Sequence, residues 1–280
     1  MEEYDTGWAL KVSDLTRIYG KSCPDCIEMT GPGKGTNICP VCGAVVACAG
    51  ISFEVMPGEI LGIVGESGSG KSTIVRCLYF DMEPTCGEAY LRCFGDENIF
   101  QISSQKKQTI RNLHTGMVYQ NPQLGLKFDI TSGGNIAEKL LAANWRSVGR
   151  IRERAGELLE RTEIPLTRMD DMPRNFSGGM QQRVQIAKAL ANDPDVLLLD
   201  ELTTGLDVSV QARILDLIKD IRRNTEAAMV LITHDLGVIR LLAERTIVLK
   251  NGRIVEAGLT DQILEDPQHE YTQLLVNSVL

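Results

Sequence analysis

The sequence has 280 residues, 43% hydrophobic but only 5% aromatic, enough for one large α/β domain or two ordinary ones around an aliphatic core. Its 37 acidic residues outnumber 29 basic ones, and the net charge of -8 argues against a nucleic-acid partner or a general attraction for anionic membranes. No run approaches the ~18 apolar residues of a membrane span, and the acidic start MEEYDTGWALKV lacks the apolar stretch of a signal peptide, so a cytoplasmic protein is expected.

In chain order, the residues around Ala9, Val12, Leu15, Ile18 and Tyr19 read as a strand followed by a turn. A Gly/Pro/Cys-rich insertion, residues 21–48, then interrupts the pattern and carries Cys23-Pro24-Asp25-Cys26 and Cys39-Pro40-Val41-Cys42-Gly43. Two Cys-x-x-Cys pairs at this separation can wrap four thiolates around one tetrahedral metal, and the Pro and Gly suit tight turns whose N–H groups point at sulfur. Zinc is the first expectation, iron in a rubredoxin-like site the second and an iron–sulfur cluster the third; the alternative is four free thiols in a loose loop. Four cysteines leave no open coordination position, so the metal is expected to be structural, and the insertion a docking knob. Cys48, Cys77, Cys86 and Cys93 show no ligand spacing and read as packing residues, as do Trp8 and Trp145. His114 and His269 match no motif and read as surface residues.

Ile51, Phe53 and Val55 alternate with polar residues, MPGE marks a turn, and ILGIVG has the unbroken apolar run of a strand buried on both faces. The next eight residues complete a phosphate-binding pattern. Gly65, Glu66, Ser67, Gly68, Ser69, Gly70, Lys71 and Ser72 fit G-x-x-x-x-G-K-[ST], between a buried strand and a helix expected from Ser72 to Tyr79. Glycines let backbone N–H groups converge on phosphate oxygens, and the helix start adds its dipole. Lys71 would reach the β- and γ-phosphates of ATP, and Ser72 would hold Mg2+. Strands are expected near Ala89–Phe94 and Gly116–Tyr119, helices over 135–162 and in MQQRVQIAKALAND, and a buried strand in DVLLLDE. That strand ends on Asp200, suited to Mg2+, and Glu201, placed to polarise an attacking water. Helix VQARILDLIKDIRR and strand AAMVLITHD continue the alternation that marks a parallel sheet.

Ser177-Gly178-Gly179-Met180-Gln181-Gln182-Arg183 resembles the signature segment of ATP-binding-cassette proteins. Gln120 in MVYQNP, Thr203-Thr204-Gly205-Leu206-Asp207 and His234 in LITHD match the family's other motifs in their usual order. The resemblance spans essentially the whole chain apart from the insertion. It implies a phosphate-loop NTPase core (residues 1–280) with an antiparallel β subdomain, a helical signature subdomain (121–189) and here an added metal knuckle. It further implies that Tyr19 stacks on adenine, that residues 65–72 and Thr73 bind the triphosphate, and that Gln120 contacts Mg2+ and the attacking water. Glu201 would be the general base and His234 would contact the γ-phosphate. Ser177, Gly178, Gly179, Gln181 and Asp207 would serve a nucleotide shared with a second cassette chain, a copy or a paralogue. Where the family usually has proline after the glutamate, this chain has Leu202, which should alter the stiffness of the loop while leaving activity in place.

Among cassettes, GNIAEKLLA (134–142), RMDDMPRNFSGGMQQR (168–183), GLDVSVQARILDL (205–217) and the stretch 233–280 most resemble the first ATP-binding subunit of carbon–phosphorus lyase systems. That resemblance implies docking, as a dimer, on a soluble lyase core that breaks down phosphonates. The ending 266–275 is also similar to the ATPase subunits of oligopeptide, dipeptide and nickel importers, which act with membrane permeases and often run on past it. The four-cysteine insertion, foreign to the usual lyase form, leaves room for another soluble metalloenzyme as partner.

Overall fold

Strand β1 (Leu10–Tyr19) is the centre of a three-stranded antiparallel sheet in the order β2-β1-β4, with β2 at Val45–Val55 and β4 at Cys86–Leu91. The structure is a computed structural model describing residues 7–278; the first half of the acidic start MEEYDTGWALKV, residues 1–6, lies outside it. The chain forms two units, one built up to Ser103 and again from Ala228, the other from Ser104–Ala227.

In the first unit, β3 (Ile60–Val64) is buried at every residue, as its apolar run requires, and leads through the phosphate loop into α1 (Lys71–Leu78). After the excursion into the second unit the chain returns as β7 (Ala228–Ile232), α8 (Leu236–Leu242), β8 (Arg245–Lys250), β9 (Arg253–Leu259), α9 (Thr260–Glu265) and α10 (Glu270–Asn277). β3 pairs in parallel with both β7 and β8, and β9 closes the edge antiparallel to β8.

The second unit contains α2 (Ser104–Thr109), β5 (Thr115–Val118), α3 (Pro122–Gly125), α4 (Ser132–Ala142), α5 (Val148–Arg161), α6 (Gly178–Ala189), β6 (Val196–Asp200) and α7 (Val208–Asn224). β5 and β6 pair in parallel. The expected continuous helical stretch over 135–162 is broken between α4 and α5, where Asn144 takes a positive φ of 64° and Ser147 caps the second helix. Residues 45–48, expected inside the insertion, belong to β2: Val45 pairs with Tyr19, Val46 with Ile18 and Cys48 with Arg17. Their β-branched and small side chains continue the strand that Ile51 and Phe53 announce.

Cys48 and Cys77 are fully buried, and burial pushes their thiols up to about 11 and about 12. Cys86 and Cys93 are exposed instead, because Cys86 opens β4 on the sheet edge and Cys93 lies in the turn after it. Trp8 and Trp145 are half-buried, and Trp145 stacks against the Arg150 guanidinium, 5.7 Å from the ring centre. His114 is not a bare surface residue; its Nδ1 lies 2.7 Å from Asp195. His269 is half-buried and caps α10, its Nδ1 accepting from the Tyr271 N–H at 3.0 Å.

Candidate active site and metal centre

The phosphate loop is shaped by close backbone approaches. Gly65 sits at φ 150°, where a Cβ would lie 2.2 Å from the Leu249 carbonyl oxygen; Gly70 sits at φ 103°, where a Cβ would lie 1.9 Å from that of Ala47. No other residue fits either position. Lys71 is buried, and its Nζ donates to the carbonyls of Gly65 at 2.7 Å and Glu66 at 2.9 Å, drawing the loop around the ammonium. Ser69 Oγ is buried without a hydrogen-bond partner among the described residues. An orphaned hydroxyl in a loop folded around the Lys71 Nζ is what an incoming phosphate would satisfy. Ser72 and Thr73 follow on the first turn of α1, half-buried. The Tyr19 hydroxyl lies 3.5 Å from Thr73 Oγ1, and the Arg17 guanidinium stacks on the Tyr19 ring at 4.9 Å.

The loop has a support that its motif did not reveal. The Glu66 N–H donates to the hydroxyl of Tyr271, on α10, at 3.1 Å. Tyr271 is buried, burial pushes its phenol up, and Lys250 Nζ lies 4.5 Å from its ring. The segment 266–275, read only as a family ending, therefore has local work: His269 caps α10, Glu256 receives the N–H groups of Gln268 and His269, and Tyr271 braces the loop. His234 is exposed between Thr233 and Asp235; the Asp235 N–H donates to Thr233 Oγ1 at 3.0 Å while its carboxylate caps α8.

In the second unit, β6 delivers Asp200, buried at its C-terminal end, and then Glu201, whose φ of 47° is uncommon for a non-glycine residue. One Glu201 carboxylate oxygen accepts from Gln120 Nε2 at 2.8 Å and from Thr204 Oγ1 at 3.0 Å, so the sequence-distant Gln120 and Glu201 meet. Leu202 is buried, anchoring the turn by packing where proline would anchor it through its fixed φ. Ser177 is exposed and caps α6 by accepting from the Met180 N–H, leaving Gly178 exposed at the helix start. Gln181 spends its amide on its own loop, Nε2 donating to the carbonyls of Pro173 and Phe176 at 3.0 Å each. Asp207, exposed, precedes α7.

The insertion gathers its four cysteines. The sulfurs of Cys23 and Cys26 are 3.6 Å apart, Cys23 and Cys39 3.7 Å, and Cys26 and Cys42 3.4 Å, with all four within 4.8 Å of one another. Tetrahedral zinc at ~2.3 Å from each sulfur would set them about 3.8 Å apart, so the quartet fits a metal and is too open for disulfides. Backbone N–H groups already face the sulfurs: that of Cys23 donates to Cys26 Sγ at 3.2 Å, and that of Ala44 draws the Cys42 thiol down to about 6. Burial pushes Cys26 the other way, up to about 12. Around them pack Ile18, Ala44, Val46 and Ala49.

Residues 48–204, more than half the chain, match the family described as "ABC transporter". The chain belongs to the ABC transporter family. Like its relatives, the cassette is an ATPase. It is 44% identical over 271 residues to the putative phosphonates utilization ATP-binding protein PhnK of Escherichia coli (strain K12), covering 97% of each chain. It is 40% identical over 241 residues to the oligopeptide transport ATP-binding protein OppD of Bacillus subtilis (strain 168), covering 85% of this chain and 67% of that one. Among solved structures it is similar to the dimeric bacterial ABC transporter cassette MJ0796, with a TM-score of 0.74 and 29% identity over 90% of this chain and 98% of the other. MJ0796 is also known in a post-hydrolysis dimer with ADP and phosphate. Among the described residues of the cassette, no helix is long and apolar enough to cross a membrane.

Sequence patterning missed one device of the cassette. Gln182 and Gln185 are almost fully buried on α6, and both reach the backbone of Tyr119, next to Gln120. Gln185 Oε1 accepts the Tyr119 N–H at 2.9 Å, and its Nε2 donates to the Tyr119 carbonyl at 3.0 Å. The available signal was amides three residues apart on the helix face they share with Ile186 and Ala189, opposite the face of Val184 and Ala187. Gln185→Leu fills the same space but takes away the acceptor it offers the Tyr119 N–H and leaves the Tyr119 carbonyl the longer bond from Gln182 at 3.4 Å, so it should cost about 2 kcal/mol. The melting temperature, read by circular dichroism, should fall by roughly 5 °C; an unchanged value would show that water replaces the clamp.

Proposed function

We propose that the cassette closes around ATP with a second cassette chain, a copy or a paralogue, and that hydrolysis drives conformational change in a soluble carbon–phosphorus lyase-type complex of phosphonate breakdown. The observation that carries this reading is the identity to the phosphonates utilization protein, which runs through 97% of both chains. Tyr19 stacks on adenine, on the ring face away from Arg17. N–H groups of residues 65–73 enclose the phosphates, and Lys71 meets the β- and γ-oxygens. Ser72, Asp200 and Gln120 would hold Mg2+, which would neutralise charge on those oxygens. Gln120 orients the attacking water, Glu201 accepts its proton and His234 contacts the γ-phosphate. Ser177, Gly178 and Gly179 offer the start of α6 to the nucleotide of the partner chain, with Gln181 keeping that loop in shape and Asp207 beside the same interface.

The four cysteines hold a structural metal, zinc before iron. Elemental analysis of protein purified without chelator should find about one metal per chain, and less than about 0.2 would refute the site. A second reading, the ATPase of a peptide-type importer, is favoured by the 40% identity to OppD and by the shared ending 266–275. Affinity capture from native lysate separates the two. The first reading expects soluble lyase core subunits to co-purify; recovery of integral permeases alone would replace it with the second. Recovery of a different soluble metalloenzyme would retain the coupling and change the partner.

A further inference from the structure

The metal knuckle is wired to the phosphate loop. Asn37, between the two cysteine pairs, donates from Nδ2 to the Gly68 carbonyl at 3.3 Å. Its own position is fixed by the hairpin that the second pair closes. The Val46 N–H donates to the Asn37 carbonyl at 2.8 Å, Ile38 bridges to Val45, the Cys39 N–H donates to the Ala44 carbonyl at 2.8 Å, and the Gly43 N–H donates to the Cys39 carbonyl at 2.8 Å.

That hairpin runs directly into the part of β2 lying against the loop. The Ala47 carbonyl abuts Gly70, and the Ala49 N–H donates to the Gly252 carbonyl at 2.8 Å, while the Gly252 N–H donates to the Ser69 carbonyl at 3.0 Å. Arg253 ties the other half of the knuckle to the same place, donating to the carbonyls of Ala49 and Ile27 at 3.0 Å each.

A segment this poor in large apolar side chains has little besides the sulfur cluster to hold it. The apolar cluster at the sulfurs is small: Cys26, Cys39, Ala44, Val46 and Ala49 with Ile18 and Cys23. Ordering residues 23–42 costs backbone entropy that a bound metal offsets and four separate thiols do not.

We propose that the metal knuckle is a working part of the nucleotide site, with Asn37 as a positioning residue that holds Gly68 and metal occupancy setting the affinity of the phosphate loop for nucleotide. The proposal rests on the reading that the four cysteines bind metal. With metal bound, the hairpin presents Asn37 and steadies Ala47 behind Gly70. Without it, residues 23–42 loosen, the Gly68 carbonyl loses its donor, and the loop samples shapes that do not fit phosphates. The cassette thereby binds nucleotide well only when metal-loaded.

The test uses the full chain, purified without chelator, with metal counted by elemental analysis and affinity measured with a fluorescent ADP analogue in Mg2+. Asn37→Ala should keep its metal and melting temperature while nucleotide Kd rises about fivefold, the worth of one hydrogen bond. KM for ATP should rise with it and kcat should hold. Removing the metal with a chelator selective for zinc or iron over magnesium should weaken nucleotide binding by at least about tenfold, reversed on adding the metal back. Metal-loaded protein whose Kd ignores both perturbations overturns the link alone. Metal below about 0.2 per chain overturns the metal reading itself, and the link with it.

Discussion

Glu201→Gln should bind ATP as the parent does and hydrolyse it about 10²- to 10⁴-fold more slowly, the usual contribution of a positioned general base. The substitution is close to isosteric. A glutamine Oε1 can still accept from Gln120 Nε2 and Thr204 Oγ1, which now lie at 2.8 Å and 3.0 Å from the carboxylate, so the turn that places residue 201 at positive φ keeps its restraints. Only the basic lone pair is lost. With hydrolysis blocked, ATP should accumulate a dimer detectable by size-exclusion chromatography. In the parent, activity should climb more than linearly with protein concentration until dimers saturate. Turnover of Glu201→Gln at the parental rate would remove Glu201 from the role of base and leave Gln120 and His234 to orient and polarise water.

Lys71→Met should act one step earlier, on binding. The Lys71 Nζ is buried and donates to two loop carbonyls at 2.7 Å and 2.9 Å. Its loss removes a charge-assisted contact to phosphate worth about 1.5–3 kcal/mol and leaves Gly65 and Glu66 without a common donor. Nucleotide Kd should therefore rise by roughly 10- to 150-fold, measured by calorimetry or by the fluorescent analogue. A methionine variant that bound ATP like the parent would mean that backbone N–H groups alone carry the phosphates. The two variants also differ in what they do to assembly: Glu201→Gln should lock dimers, and Lys71→Met should prevent ATP from forming them.

Much of this was legible in the residues themselves. The phosphate loop is a local pattern, and so are the buried strands: ILGIV, VLLLD and AMVLI are apolar throughout because both faces are covered. The cysteine pairs were equally plain, since ligand spacing is a local property. What escaped was long-range or polar. Nothing in QQRVQ says that Gln182 and Gln185 turn inward, because their partner is the backbone of Tyr119, more than sixty residues away. Asn37 looks like any loop asparagine until the hairpin brings it to Gly68. Tyr271 reads in the sequence only as part of a family ending, although its hydroxyl receives an N–H of the phosphate loop. The boundaries slipped where local and distant preferences met. Residues 45–48 read as insertion for their cysteine and glycine neighbours, but the partner strand β1 claims them. Cys86 and Cys93 were expected inside because free cysteine usually packs like a small hydrophobe, yet an edge strand and a turn leave them in solvent.

The pairing of Tyr19 with Val45 has a consequence for how such a chain can change over time. Residues 20–44 leave the sheet and re-enter it at facing rungs of one antiparallel ladder, so the knuckle is, in topological terms, an oversized hairpin loop. A two-residue Asn-Gly turn could join the same rungs without shifting the register of either strand. A lineage could therefore take up or discard the metal module in a single insertion or deletion, with β1, β2 and the loop beyond them still in frame. Metal dependence would then behave as an exchangeable cartridge fitted to an older engine.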